Sequence, residues 1–196
     1  MSACFSIFFS FIGSQSFIEG RCPGSKAAIF NQSNSFATAP IIYLKGRSFT
    51  ISCWIKRTKW SPNELGAIYS DWHDPWQFFL SINTEGRVVF QRHSKTPDDR
   101  WFSFWTFPVS LNTWTHVAVT CNHMEGTLFL YADGEEVGKR VYFPQKAPFY
   151  GLTGKPYMIG NDGHHRDHQF YGSVMDLYVF GTALSLDEIK KLRGGQ

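Results

Sequence analysis

A chain of 196 residues with 43% hydrophobic residues and a formal charge of +3 has material for one full-sized core and is too apolar for a disordered segment. Its Lys and Arg are scattered, with no run longer than two, so it lacks the basic footprint of a nucleic-acid binder. Phe (19), Tyr (8) and Trp (7) are heavily used, and aromatics favour pleated, half-buried surfaces, which points to β structure.

Residues 5–12 (FSIFFSFI) form a short apolar run, too short to cross a bilayer, which needs about 20 residues. Small polar residues follow at 13–16. The run fits the apolar centre of a secretory signal peptide, although no Lys or Arg precedes it, and fits equally a first β-strand. The chain therefore divides into a leading segment, 1–24, and one domain, 25–196.

From residue 27 one strand follows another. Residues 27–30 and 35–39 flank a polar turn at 31–34. Residues 49–56 (FTISCWIK) alternate strictly, and 67–70 make a short strand before a loop at 71–75. Residues 76–82 and 87–91 flank a hairpin turn closed by Gly86, and 101–107 (WFSFWTF) alternate again. Strands are expected over 114–121, 127–132, 136–143, 156–160 and 170–180, with Asp133-Gly134 as a tight hairpin turn. Turn signals this frequent suit a sandwich or jelly roll. Only 185–192 reads as a helix: Ser185 and Glu188 make a capping box, and Leu186, Ile189 and Leu192 form a narrow apolar stripe.

The four cysteines show no zinc-finger spacing. Cys53 shares a strand face with Phe49, Ile51 and Ile55, and Cys121 shares one with Val117 and Val119. Both point to the core, where a Cys53–Cys121 disulfide fits an oxidising compartment and two buried thiols fit as well. Asn31-Gln32-Ser33 is an N-glycosylation sequon, meaningful for a secreted chain.

Four stretches taken in order carry a resemblance: FTISCWIK (49–56), WTHVAVTC (114–121), LFLYADGEEV (128–137) and FYGSVMDLYVFGTALSLDEI (170–189). Together they resemble the laminin G/pentraxin group of concanavalin A-like domains, over roughly residues 25–192. The resemblance implies an all-β, two-sheet antiparallel jelly-roll sandwich with a short C-terminal helix. It makes Trp54, Trp114 and Asp176 framework residues. It also implies a secreted, extracellular recognition module, a lectin or adhesion domain that binds glycan or protein without chemistry.

Members of the group carry calcium at the sandwich rim. Carried onto this chain, the ligands are Asp71 and Asp74 in one loop and Asn161, Asp162 and Asp167 in another, a set rich in the oxygens calcium prefers. His164, His165 and His168 beside them suit a transition metal or a pH response instead. A separate candidate is aromatic: Trp72, Trp76, Trp101 and Trp105, of which Trp101 and Trp105 share a strand face with Ser103. Such a strip stacks on sugar rings or anchors a protein partner, or else packs into the core. The rival classes are an oligomeric adhesion or receptor-ectodomain fragment and a glycoside hydrolase. The hydrolase needs two facing carboxylates, and this chain lacks the E-x-D-x-x-E strand that supplies them on such sandwiches.

Overall fold

The computed structural model describes residues 4–6, 10–12, 16–42, 44, 47–61, 65–71, 78–93, 101–138, 141–142, 156–162 and 168–194. In chain order the elements are β1 (Cys4–Ser6), β2 (Ser10–Ile12), β3 (Ser16–Glu19), β4 (Lys26–Phe30), β5 (Phe36–Ala39), β6 (Phe49–Arg57), β7 (Leu65–Ser70) and β8 (Phe78–Asn83). There follow β9 (Arg87–His93), β10 (Trp101–Pro108), β11 (Thr115–Asn122), β12 (Thr127–Ala132), β13 (Glu135–Glu136), β14 (Val141–Tyr142), β15 (Tyr157–Ile159), β16 (Gly172–Phe180) and α1 (Leu186–Leu192).

The strands form two antiparallel sheets. The first runs β13-β12-β11-β6-β16-β4-β3, with β1 also on β16 and β14 also on β12; the second runs β10-β9-β8-β7-β15-β5-β2. Successive strands cross between the sheets at β1–β2, β2–β3, β4–β5, β5–β6, β6–β7, β10–β11, β14–β15 and β15–β16, which makes the expected jelly-roll sandwich. At the ends of the apolar run, Cys4 to Ser6 pair with β16, and Ser10 to Ile12 pair with β5.

Alternation places the core. Phe49, Ile51, Cys53 and Ile55 of β6 join Val117, Val119 and Cys121 of β11 on one side. Phe78, Leu80, Ile82, Val88 and Phe90 meet them from the second sheet, with the Phe78 and Phe90 rings stacked at 6.1 Å. The opposite face of β6 is covered as well. Thr50 donates to the Thr182 carbonyl (2.8 Å), and Ser52 bonds His116 Nε2 (2.8 Å). Both hydroxyls are thus satisfied, as burial requires.

The Asp133-Gly134 hairpin forms as expected, with φ of 51° and 82° at the two residues. So does the capping box: Glu188 N–H donates to Ser185 Oγ, and Ser185 N–H donates to Glu188 Oε2 (2.8 Å). The helix stripe is narrower than expected. Ile189 is fully buried against Ala118 and Tyr131, while Leu186 is 37% exposed.

Two expectations are corrected. The strand predicted over 136–143 is broken into β13 and β14, because Val137 and Gly138 N–H both converge on the Leu130 carbonyl. A Cβ at Gly138 would lie 2.7 Å from Leu130 Cβ, so the chain approaches here only as glycine. The Cys53–Cys121 disulfide does not form. Cys53 stands opposite Val117 and Cys121 opposite Phe49, which sets the two cysteines four residues apart on paired strands. That is about 13 Å at 3.3 Å per residue, and a disulfide needs Cα atoms within about 7 Å. Both remain thiols in the core, where burial pushes Cys53 up and leaves it unreactive.

Candidate ligand-binding face

The second sheet has a face turned away from the core. Core residues Leu80, Ile82, Val88 and Phe90 alternate with Phe79, Ser81, Val89 and Gln91, which therefore point the other way. Ser70 pairs with Phe79 and Ala67 with Ser81, so both join that face. On the edge strand, Trp101, Ser103 and Trp105 pair with His93, Gln91 and Val89. Register thus sets positions 101, 103 and 105 level with positions of this face.

The face is polar where a core would be apolar. Ser70 Oγ and Ser81 Oγ are fully buried and have no hydrogen-bond partner among the described residues. An unpartnered buried hydroxyl costs about 1–3 kcal/mol, so its presence needs a reason. Phe79 and Val89 beside them are fully buried, while Gln91, toward the sheet edge, is half-buried. The described positions of this face carry no Asp or Glu.

A polar cluster borders it at the start of β7. His168 donates from Nδ1 to Asp162 Oδ2, and its ring meets the Phe79 ring at 5.7 Å. Asn161 Nδ2 donates to Gln169 Oε1 (3.1 Å), and Gln169 Nε2 donates to the carbonyls of Gly160 (2.7 Å) and Ser35 (3.0 Å). Gln169 bridges Ala67, and Ala67 N–H donates to the His168 carbonyl (2.9 Å), so the cluster is tied to that end of the strand.

Of the expected calcium ligands, Asp71, Asn161 and Asp162 lie among the described residues, and register sets Asp71 apart from the other two along the strand. Gly160 N–H donates to the Ile68 carbonyl, and Asn161 continues from there toward Ala67. Asp71 lies three residues beyond Ile68 in the opposite direction, about 10 Å along the strand. Oxygens around one calcium lie within about 5 Å of each other. Asp71 is also occupied, accepting from Phe78 N–H (2.9 Å) and so closing the base of the loop between β7 and β8. Among the described residues no group of three or more His, Cys, Asp or Glu is placed to hold a metal. Asp74, Asp167, His164 and His165 lie outside the described residues, as do Trp72 and Trp76.

Asn31 is exposed in the turn after β4, accessible to a glycan-transferring enzyme. Sequence reasoning missed His116. It is buried, its Nδ1 has no partner, and burial pushes it down to about 4. The signal was present in the strand pattern, since His116 falls on the face shared with Trp54, whose ring it meets at 5.4 Å.

A family model for the concanavalin A-like lectin/glucanases superfamily, Laminin_G_3, matches residues 30–190. Among solved structures, the chain is similar to the binding domain of Paraclostridial Mosquitocidal Protein 1 (17% identity, TM-score 0.76, covering 95% of this chain and 47% of that one). It is similar to the botulinum neurotoxin serotype G binding domain (17%, 0.73, covering 96% and 46%). It is also similar to domain 4 of AbnA, a GH43 extracellular arabinanase from Geobacillus stearothermophilus, in complex with arabinotriose (18%, 0.70, covering 95% and 87%). These likenesses show the fold, and the chain spans about half the length of the toxin domains. Among curated proteins none matches at a significant level.

Proposed function

The chain belongs to the Laminin_G_3 family of the concanavalin A-like lectin/glucanases superfamily, and from that premise we propose that it is a non-catalytic recognition module that binds a glycan outside the cell. The ligand meets the face of the second sheet turned from the core, along the row of Trp101 and Trp105. The observation that carries this reading is chemical. That face sets the aromatic positions of the edge strand level with the half-buried amide of Gln91, the mixture that recognises sugars by stacking and hydrogen bonding. The named neighbours that are binding domains support the same reading. The exposed Asn31 sequon fits an extracellular setting, and among the described residues no helix is long and apolar enough to cross a membrane.

The test is a glycan array probed with the purified chain in calcium and again in EDTA. The expected result is binding that survives EDTA and is lost in Trp105→Ala. Binding lost in EDTA moves the site to a calcium-bearing rim built on Asn161, Asp162, Asp167 or Asp74. No binding in either condition overturns the glycan reading in favour of a protein ligand, the role of an adhesion or receptor fragment.

A further inference from the structure

The end of β6 and the residues just after it carry cations laid on aromatic rings. Arg21 lies over Trp54 at 4.2 Å, Lys56 over Trp114 at 5.2 Å, Arg57 over Trp60 at 4.2 Å, and Lys59 over Tyr171 at 4.0 Å. Significant cation–π pairs occur about once per 70–80 residues. All four described here fall on one stretch of chain, from Trp54 to Trp60, about 20 Å long as a strand. Their clustering, more than their number, calls for an explanation.

The patch is fixed by backbone. Thr58 N–H donates to the Tyr171 carbonyl (3.0 Å), and Asn112 N–H donates to the Arg57 carbonyl (2.8 Å). Arg57 is itself buried and donates from Nε to the Val109 carbonyl (2.7 Å), so it is held under the Trp60 ring. The far side of that ring is open: Trp60 is 47% exposed, and Lys59 beside it is exposed. Among the described residues none of Lys56, Arg57 and Lys59 has a carboxylate in ion-pair contact. Arg21 faces the Asp176 carboxylate, whereas Lys56 and Lys59 present positive charge beside the exposed Trp60 ring.

We infer that this surface is a docking site for an acidic polypeptide segment, separate from the glycan face. Trp is among the residues that dominate protein–protein hot spots, and here exposed Trp60 is held over buried Arg57 with the Lys59 cation beside it. A peptide carrying carboxylates beside an apolar residue answers both features, the carboxylates at Lys56 and Lys59 and the apolar side chain on Trp60. A sugar is a poorer fit, because each ring already has a cation over one face and offers less bare ring to stack on. A nucleic acid is poorer still, since the chain carries only +3 and no basic run.

The test is fluorescence anisotropy with a labelled Glu-rich peptide containing scattered Leu, its counterpart with every Glu changed to Gln, and labelled heparin. The Glu peptide is expected to bind, to weaken as salt is raised, and to bind roughly tenfold or more tightly than the Gln peptide. Lys59→Glu and Trp60→Ala should each weaken it by roughly tenfold. Both positions are exposed, and unchanged thermal midpoints confirm that the variants fold. Met124→Ser, at a position 69% exposed in the β11–β12 turn, should leave binding unchanged. The inference is overturned by no binding of the Glu peptide, by equal binding of the Gln peptide, by indifference to Lys59→Glu, or by binding of heparin in place of the peptide. Because the glycan array reads a different sheet, either result stands without the other.

Discussion

Deleting the two orphan hydroxyls should make the protein more stable. Ser70 Oγ and Ser81 Oγ are each fully buried with no hydrogen-bond partner among the described residues. Leaving such a group unsatisfied costs about 1–3 kcal/mol, and Ser→Ala removes that cost. Against this stands the lost packing of one heavy atom, about 0.8 kcal/mol by analogy with a methylene. The balance for each of Ser70→Ala and Ser81→Ala is a gain of about 0.2–2 kcal/mol. For a chain of this size a gain of 1 kcal/mol raises the thermal midpoint by about 2–4 °C. Urea unfolding with an unchanged m-value is the assay, since a shift in midpoint alone reports stability. A loss of 1 kcal/mol or more in either variant would refute the reasoning. It would mean that the hydroxyl is hydrogen-bonded in solution.

His116 makes stability depend on pH. Its folded pKa of about 4 lies below the ordinary value of 6.5, because burial penalises the charged ring, and Arg193 and Arg21 push the same way against the pull of Asp133. The stabilisation is complete above pH 6.5 and is lost as pH falls from 6.5 toward 4. At pH 5 the loss is about 2 kcal/mol. It should be absent in His116→Gln, and equal slopes in the two proteins would contradict the assignment. Gly160→Ala should cost about 2–5 kcal/mol in urea unfolding. Its φ is +84°, and a Cβ would lie 2.3 Å from the Phe30 ring. Native alkylation followed by peptide mapping should modify exposed Cys22 and spare Cys53 and Cys121 until denaturant is added. Recovery of a linked Cys53–Cys121 peptide would contradict the register. Ser185→Ala should destabilise by about 1 kcal/mol, read by thermal unfolding, through loss of the helix cap.

The sequence made legible whatever depends on neighbours within one element. Alternation in 49–56 placed Phe49, Ile51, Cys53 and Ile55 in the core, Asp133-Gly134 marked a hairpin that forms, and the Ser185–Glu188 box set the start of α1. What stayed hidden is the level at which distant residues sit. Cys53 and Cys121 do face the same core, yet pairing offsets them by four positions, a quantity that alternation does not encode. Asp71 and Asp162 fail to meet for the same reason: antiparallel pairing of β15 with β7 carries the following residues away from Asp71. The break at 137–138 turned on how closely Gly138 approaches Leu130, a contact fixed by the neighbouring strand. Positions 101 and 105 were legible as one side of an alternating strand, but only register sets them level with His93 and Val89. The cation–aromatic row left no trace beyond composition, since Lys56 meets Trp114 and Lys59 meets Tyr171 across long stretches of chain.

The central claim is that a glycan binds on the outward face of the second sheet. Titration calorimetry of the best array ligand against the wild type, Trp105→Ala and Trp60→Ala tests it most directly. The account predicts that affinity is lost in Trp105→Ala and kept in Trp60→Ala. Affinity kept in the first and lost in the second would contradict it, placing the ligand on the rim at the end of β6.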